Sequence, residues 1–355
     1  MRKKLVAAAG AGAVALLLVA PMPASAATKP KVKVVSTAVL APFNLDVSTG
    51  KILVADGGAN AVVRVKKRDG TVSTVAEAVG PDGVAVSRDR RYLAHTTTVG
   101  GEEGITASGL VIIGPRGTVN ADTLAYERAN NPDGKLTYGF ANPGNCPLDQ
   151  PEAPAQYRGL VDSHAYSVAA YGKKFVVADA GANALWLVDR KGNISTIGVL
   201  PRHRFRVTQA AADSQDLPHC AVGKIYNFEA VPTDVEVGKD GWLYVTTLPG
   251  GPEDPSLGAR GRVYRVNPKT GKNQLIARGF AGATNLALGK RGQIYVTELF
   301  GDRISVIKHG HVKPHVSLKG AVSVETDRKG NLWAGTVTFA ENAPPTGTIV
   351  KIKKR

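Results

Sequence analysis

The chain has 355 residues, 43% of them hydrophobic and only 6% aromatic, with 40 glycines, two cysteines and a formal net charge of +16. Abundant glycine with few aromatics argues against a helical core and for short strands joined by tight turns. Two cysteines leave no room for a paired CxxC metal motif, and the chain carries neither a Gly-x-Ser-x-Gly elbow nor a phosphate loop.

Residues 1–26 read as a secretory signal peptide. Arg2, Lys3 and Lys4 form a charged start, Leu5 to Ala20 an apolar stretch, and Ala24-Ser25-Ala26 a small-x-small cleavage site. The apolar stretch is shorter than the roughly 20 residues of a membrane span. No later stretch is long and apolar enough to cross a membrane, and no Cys follows the cleavage site to take a lipid. The mature chain, from about Ala27, is therefore expected to be a soluble protein, secreted or cell-wall associated, and to act as a monomer. In that compartment the pair Cys146 and Cys220 reads first as a disulfide, the alternative being two thiols in separate loops.

The run LVADGGANAVVRV at Leu53–Val65 returns as VVADAGANALWLV at Val176–Val188. Phased on these copies, one unit recurs six times. Opening strands are Phe43–Val47, Asp82–Val86, His164–Val168, Thr233–Val237, Thr284–Leu288 and Val322–Thr326. Second strands follow as KILVAD, RYLAHT, KFVVAD, WLYVTT, QIYVTE and NLWAGT. Period-two alternation, β-branched residues and Gly/Asp turns mark antiparallel strands. Four strands about every 40 residues describe a propeller blade. The predicted fold is all-β: a six-bladed β-propeller of four-stranded blades, residues 27–355 forming one domain. The last blade lacks an outer strand, which Val32–Ser36 is expected to supply, removing a free sheet edge.

The stretches ADGGANAVVRV, ADAGANALWLVDRKGNISTI, LAYERANNPDG and VPTDVEVGKDGWLYVTTLPG resemble the ScyD/ScyE-type secreted propellers over most of the mature chain. The chain is more distantly similar to NHL-repeat and streptogramin-lyase propellers. The resemblance implies a six-bladed propeller of no assigned activity. None of the lyase His and Glu cluster matches this chain; His309, His311 and His315 fall around a peripheral turn.

In such a fold the turns from first to second and from third to fourth strand share one face. Here they are short, as at Ser48-Thr49-Gly50, Lys239-Asp240-Gly241 and Arg328-Lys329-Gly330. The long insertions Thr97–Ser108, Asn120–Asp162, Pro201–Ala230, Pro249–Gly261 and Thr338–Gly347 all fall on the other face, with both cysteines, and make it the candidate ligand face. Ala121–Ala129 is a candidate short surface helix. The short turns and their flanks hold twenty Lys and Arg against five Asp. That one-signed face suits an anionic cell-wall or surface polymer. No aromatics are stacked among these turns, so specific nucleic-acid recognition is not expected.

Along the opening strands, alternate positions should tilt toward the central axis. They place Asn44, Asp46, Asp234, Glu236, Asn285 and Glu325 in one passage, the candidate ligand-binding set. Oxygen ligands of this kind suit a hard cation, and Asp46, Glu236 and Glu325 are the candidate metal ligands, for Ca²⁺ in the central channel. Asp56, Asp179 and Glu298 end second strands and can add ligands. His95 and His164 are the available general bases for a metal-polarised substrate. With no catalytic motif, the sequence favours an exported binding or scaffold protein over a metal-dependent hydrolase or lyase at the channel mouth.

Overall fold

The computed structural model describes residues 30–101, 104–149, 154–252 and 255–353; the expected signal peptide lies outside the described residues. The chain is built of four-stranded antiparallel sheets. Sheet 1 comprises Pro42–Asp46, Ile52–Asp56, Ala61–Val65 and Val72–Glu77, and sheet 2 Val84–Val86, Leu93–Gly101, Gly104–Gly114 and Gly117–Asp122. Sheet 3 comprises Ala165–Tyr171, Lys174–Asp179, Ala184–Val188 and Ile194–Val199, and sheet 4 Pro232–Val237, Leu243–Thr247, Gly261–Val266 and Asn273–Phe280. Sheet 5 runs through Ala283–Leu288, Ile294–Glu298, Arg303–Lys308 and His311–Ser317. Sheet 6 takes Ala321–Thr326, Leu332–Ala340 and Ala343–Lys353, and its fourth strand is Lys31–Val39 from the other end of the chain. That strand pairs Val32 with Ile352 and Val34 with Val350, so the long edge of Ala343–Lys353 is not left bare.

The first strands of sheets 1 to 6 contact one another in sequence, and that of sheet 6 contacts that of sheet 1. Apolar clusters fill the same succession of interfaces. Leu53 and Val62 meet Val84, Leu110 and Ile112 meet Phe175 and Trp186, and Val176 and Leu185 meet Val235 and Val245. Phe280 and Val263 meet Leu286 and Val296, Ile304 meets Val324 and Val350, and Trp333 and Ile349 meet Leu45 and Val63. The period-two pattern makes this possible: each strand offers alternate side chains to the sheet before and the sheet after.

The paired ADxGAN segments are locks. Asn60 and Asn183 end the turn after the second strand with φ of 49° and 54°, a left-handed conformation that Asn tolerates. Their backbone carbonyls accept from Ala78 and Leu200, just past the fourth strands, at 3.0 and 2.9 Å. Asp302, with φ of 48°, does the same for Leu318 at 2.8 Å in sheet 5.

Two expected loops are strands. Thr97–Ser108 and Thr338–Gly347 largely extend their hairpins, with Thr98 paired to Ser108 and Thr338 to Thr346. Their Thr- and Val-rich alternation continues the ladder past the expected turn. The two longest insertions form an additional four-stranded sheet in the order Gln156–Arg158, Thr137–Phe140, Ile225–Phe228, His203–Arg206. Cys146 and Cys220 form a disulfide across 74 residues of sequence, beside the apolar cluster of Phe140, Leu148, Val207, Ala212, Ala221 and Phe228. Helix α1, Thr123–Asn130, starts on Asp122, whose carboxylate accepts from the Ala125 N–H at 2.8 Å. It is not a free surface helix: Thr123, Leu124 and Glu127 are buried.

Candidate functional site

The candidate axial residues occupy two levels. Each first strand is a sheet edge, and its outward N–H groups need acceptors. On the inner level those acceptors come from the preceding sheet. Asn44 Oδ1 accepts from Val84 N, Asp234 Oδ2 from Leu286 N at 2.8 Å, and Asn285 Oδ1 from Val324 N at 2.8 Å. Ser167 and Ser323, which the alternation alone does not single out, complete the level: Ser167 Oγ accepts from Val235 N, and Ser323 donates to Pro42 O. In sheet 2 the residue is Gly83, where a Cβ would lie 2.9 Å from Ser167 Cα. Asp234 Oδ1 also accepts from Ser167 Oγ and, at 3.3 Å, from Asn44 Nδ2, which joins sheet 1 to sheet 4. Asn44, Asp234, Asn285, Ser167 and Ser323 are all buried. They form a hydrogen-bonded plug rather than a free set of ligand groups.

The outer level is open. Asp46, Glu236 and Glu325 line a 570 Å³ cavity to which the first strands of all six sheets or the turns that follow them contribute. It opens among the short turns, through Ser48, Thr49, Ser87 and Asp327, and its rim carries Arg88, Arg90, Lys239, Lys290 and Arg328. The cavity therefore has an acidic floor and a cationic rim. Asp46 commits both oxygens to backbone donors, Ser48 N at 2.7 Å and Val86 N at 2.6 Å. Burial pushes the Glu236 and Glu325 carboxyls well above the usual range, and the other acids of the floor push the same way. Burial raises Asp234 to about 6 against the donors that hold its charged form.

These directions predict a pH profile. A carboxyl whose folded pKa is raised holds its proton in the native state after the unfolded chain has released it, so stability falls as pH rises through the folded values. Melting temperature should peak on the acid side of neutrality and decline toward pH 8. Glu236→Gln and Glu325→Gln should flatten that decline and raise the pH 8 melting temperature by about 2 °C. A wild-type profile already flat between pH 5 and 8 would contradict the assignment.

Asp56, Asp179 and Glu298 lie at the other strand ends, where their oxygens are taken. Asp56 accepts from Leu40 N and Ala41 N. Asp179 accepts from Ser163 Oγ, His164 N, Ala182 N and Trp186 Nε1. Glu298 accepts from Ala281 N and holds Arg303 through two bonds of 2.7 and 2.8 Å. Among the described residues no three His, Cys, Asp or Glu side chains gather as a metal-ligating group. His95 is buried, which lowers its pKa, and its Nδ1 lies 3.0 Å from Thr96 O. For His164 burial works against the charged form, but Asp82, 2.8 Å from Nε2, overrides it and the net shift is upward.

The additional sheet builds a second pair of spaces. A 200 Å³ apolar pocket lies among Phe140, Leu148, Phe205, Val207, Leu217, Tyr226 and Phe228. A 470 Å³ cavity shares Phe205, Phe228 and Leu257 with it and is lined by Arg204, Arg260, Arg262 and Arg278. Arg262 and Arg278 are direct cross-strand partners, a like-charge pairing that costs stability unless an anion joins it. Arg260 stacks on Phe228, its guanidinium carbon 4.5 Å from the ring centre. His203 is buried against this cavity, pushed down to about 2 by burial and then by Arg262 and Arg260, and so is neutral. Sequence reasoning missed these arginines because they sit in separate segments; the cross-strand register of Arg262 and Arg278 was the one readable signal.

Sheet architecture and cross-sheet packing define a β-propeller, and no helix among the described residues is long and apolar enough to cross a membrane. No protein-family model matches the chain, and no curated protein matches it significantly. Solved structures do. The apo soluble aldose sugar dehydrogenase of Escherichia coli matches with a TM-score of 0.55 at 11% identity, over 92% of this chain and 100% of that one. The PQQ-bound aldose sugar dehydrogenase of Streptomyces coelicolor matches with a TM-score of 0.54 at 14% identity, over 92% and 99%. Virginiamycin B lyase of Staphylococcus aureus aligns with a TM-score of 0.48 at 13% identity, over 92% and 99%. At these identities the likeness is one of fold.

Proposed function

We propose that this is an exported, single-domain binding protein: a closed six-bladed propeller spanning residues 27–355 after loss of the signal peptide, of the ScyD/ScyE type. One face engages a ligand and the other holds an anionic envelope polymer. The observation that carries the reading is the additional sheet. Two insertions are folded together and cross-linked by Cys146–Cys220 to wall an apolar pocket that adjoins an arginine-lined cavity. Such a pair of spaces suits an anionic ligand with an apolar body, its charge among Arg204, Arg262 and Arg278 and its body against Phe205 and Phe228. The opposite face, with its exposed rim of Arg88, Arg90, Lys239, Lys290 and Arg328, supplies attachment through a one-signed field.

Calorimetric titration tests the ligand face, with octyl phosphate as probe and inorganic phosphate and octyl glucoside as controls. Octyl phosphate should bind tightest, and Arg262→Ala with Arg278→Ala should weaken it by about 10- to 100-fold, the worth of charge-assisted hydrogen bonds. Equal binding of octyl glucoside would overturn the charge assignment. Retention on purified cell walls should fall steeply with salt; retention indifferent to ionic strength removes the attachment half. The competing reading, a Ca²⁺-dependent hydrolase or lyase at the axial cavity, rests on Glu236 and Glu325, whose carboxyls line that cavity. It would gain support from a Ca²⁺-induced rise in melting temperature that Glu236→Gln and Glu325→Gln abolish.

A further inference from the structure

Glu127, in α1, is 0% exposed, and neither of its carboxylate oxygens has a hydrogen-bond partner. Two further buried oxygens close by in sequence, Asn131 Oδ1 and Asp133 Oδ1, are also unpartnered. These are four of the nine such side-chain atoms among the described residues, and they fall within a seven-residue segment. Buried acceptors without donors are rare in folded proteins, and a buried carboxylate without a counter-charge is costlier still.

The surroundings fix the orientation of two of these groups. Asn131 Nδ2 donates to Gly159 O at 3.1 Å, which assigns the amide and leaves Oδ1 as the free end. The second oxygen of Asp133 accepts from Tyr138 Oη at 2.8 Å and Asn183 Nδ2 at 3.0 Å, leaving Oδ1 free. Glycines flank both oxygens. A Cβ on Gly159 would lie 2.1 Å from Asp133 Oδ1, and one on Gly134 would lie 2.9 Å from Asn131 Oδ1. The charged groups that act on Glu127 are Asp133, Asp179 and Asp162, all acids. No hydrogen bond joins Glu127 to Asp133, so a shared proton does not account for the pair.

We propose that Glu127, Asn131 and Asp133 bind a hard divalent cation, Ca²⁺ in an exported protein, between α1, the additional sheet and sheet 3. Two carboxylates and one amide oxygen are the donor chemistry such an ion takes, with backbone carbonyls or water completing the shell. Ca²⁺ fits better than Mg²⁺, which keeps its waters and demands near-octahedral geometry. The ion supplies the missing positive charge and staples the turn after α1 to Tyr138 of the additional sheet and Asn183 of sheet 3. The assignment is independent of the axial cavity.

The test uses the full mature chain, stripped with EDTA and titrated with CaCl₂, read by calorimetric melting. Tb³⁺ luminescence excited through tryptophan is the second readout, since Trp186 packs on Tyr126 of α1, their ring centres 5.2 Å apart. Ca²⁺ should raise the melting temperature by several degrees, and Tb³⁺ should bind at one site per chain and be displaced by Ca²⁺. Glu127→Gln and Asp133→Asn should abolish both responses. In EDTA, Glu127→Gln should be at least as stable as wild type, because it removes a buried carboxyl that has neither donor nor counter-charge, so misfolding cannot mimic the result. Glu236→Gln and Glu325→Gln should leave the response intact. A melting temperature identical in Ca²⁺ and EDTA overturns the site. So does a response that survives Glu127→Gln but not Glu236→Gln, which moves the ion to the axial cavity.

Discussion

Asp179→Ala is expected to destabilise the protein by about 4 kcal/mol or more, among the larger effects a single substitution produces. The side chain is 0% exposed and accepts four hydrogen bonds, from Ser163 Oγ and His164 N at 2.7 Å, Trp186 Nε1 at 2.8 Å and Ala182 N at 3.1 Å. Alanine strands three buried N–H donors, of His164, Ala182 and Trp186, each at roughly 1–3 kcal/mol before relaxation, while Ser163 Oγ keeps Thr123 Oγ1 at 2.8 Å. Asp56→Ala, at the matching position of sheet 1, should cost about half as much, because among the described residues Asp56 serves two donors, Leu40 N and Ala41 N. Urea unfolding gives both values, and near-UV circular dichroism reports Trp186 directly. Asp179→Ala within 1 kcal/mol of wild type, about the cost of a mean substitution, would refute its role as a lock.

Removal of the disulfide by Cys146→Ala with Cys220→Ala should destabilise the additional sheet by about 4 kcal/mol, the loop-closure entropy expected for a sequence separation of 74. The loss should be local. The additional sheet has strands of only three or four residues and a small core around Phe140, Val207 and Phe228, whereas sheets 1 to 6 share larger interfaces. Limited proteolysis should therefore cut within 141–149, 154–160 and 207–224 before the other described residues yield. Octyl phosphate binding should weaken in parallel, since the apolar pocket is walled by the same segments. Protease resistance unchanged on reduction would show that the bridge is incidental to the sheet.

The four-stranded sheets of the repeat were legible because their signals are local. KFVVAD and ALWLV are short apolar, β-branched-rich runs, a left-handed Asn stands between them, and each hairpin closes within a dozen residues. The pairing of Lys31–Val39 with Ala343–Lys353 was legible by counting, since one sheet lacked a strand. The additional sheet was not. TYGF, QYR, HRFR and IYNF are too short to show a period, and their partners lie up to about 90 residues apart.

The same division runs through the candidate sites. Strand alternation was enough to aim Asn44, Asp46, Asp234, Glu236, Asn285 and Glu325 inward, because side-chain direction is a property of one strand. Which of them are free depends on the neighbouring strand. Asn44, Asp234 and Asn285 are claimed by edge N–H groups of the next sheet, while Glu236 and Glu325 face the cavity. By itself the sequence determined the repeat and its turn chemistry, both set by residues near one another in the chain. Only the tertiary structure decided which polar groups are satisfied, which arginines meet and which acids are left buried without a partner. Those outcomes depend on contacts between segments far apart in sequence, and a buried polar group is stable or costly according to what lies within about 3 Å of it.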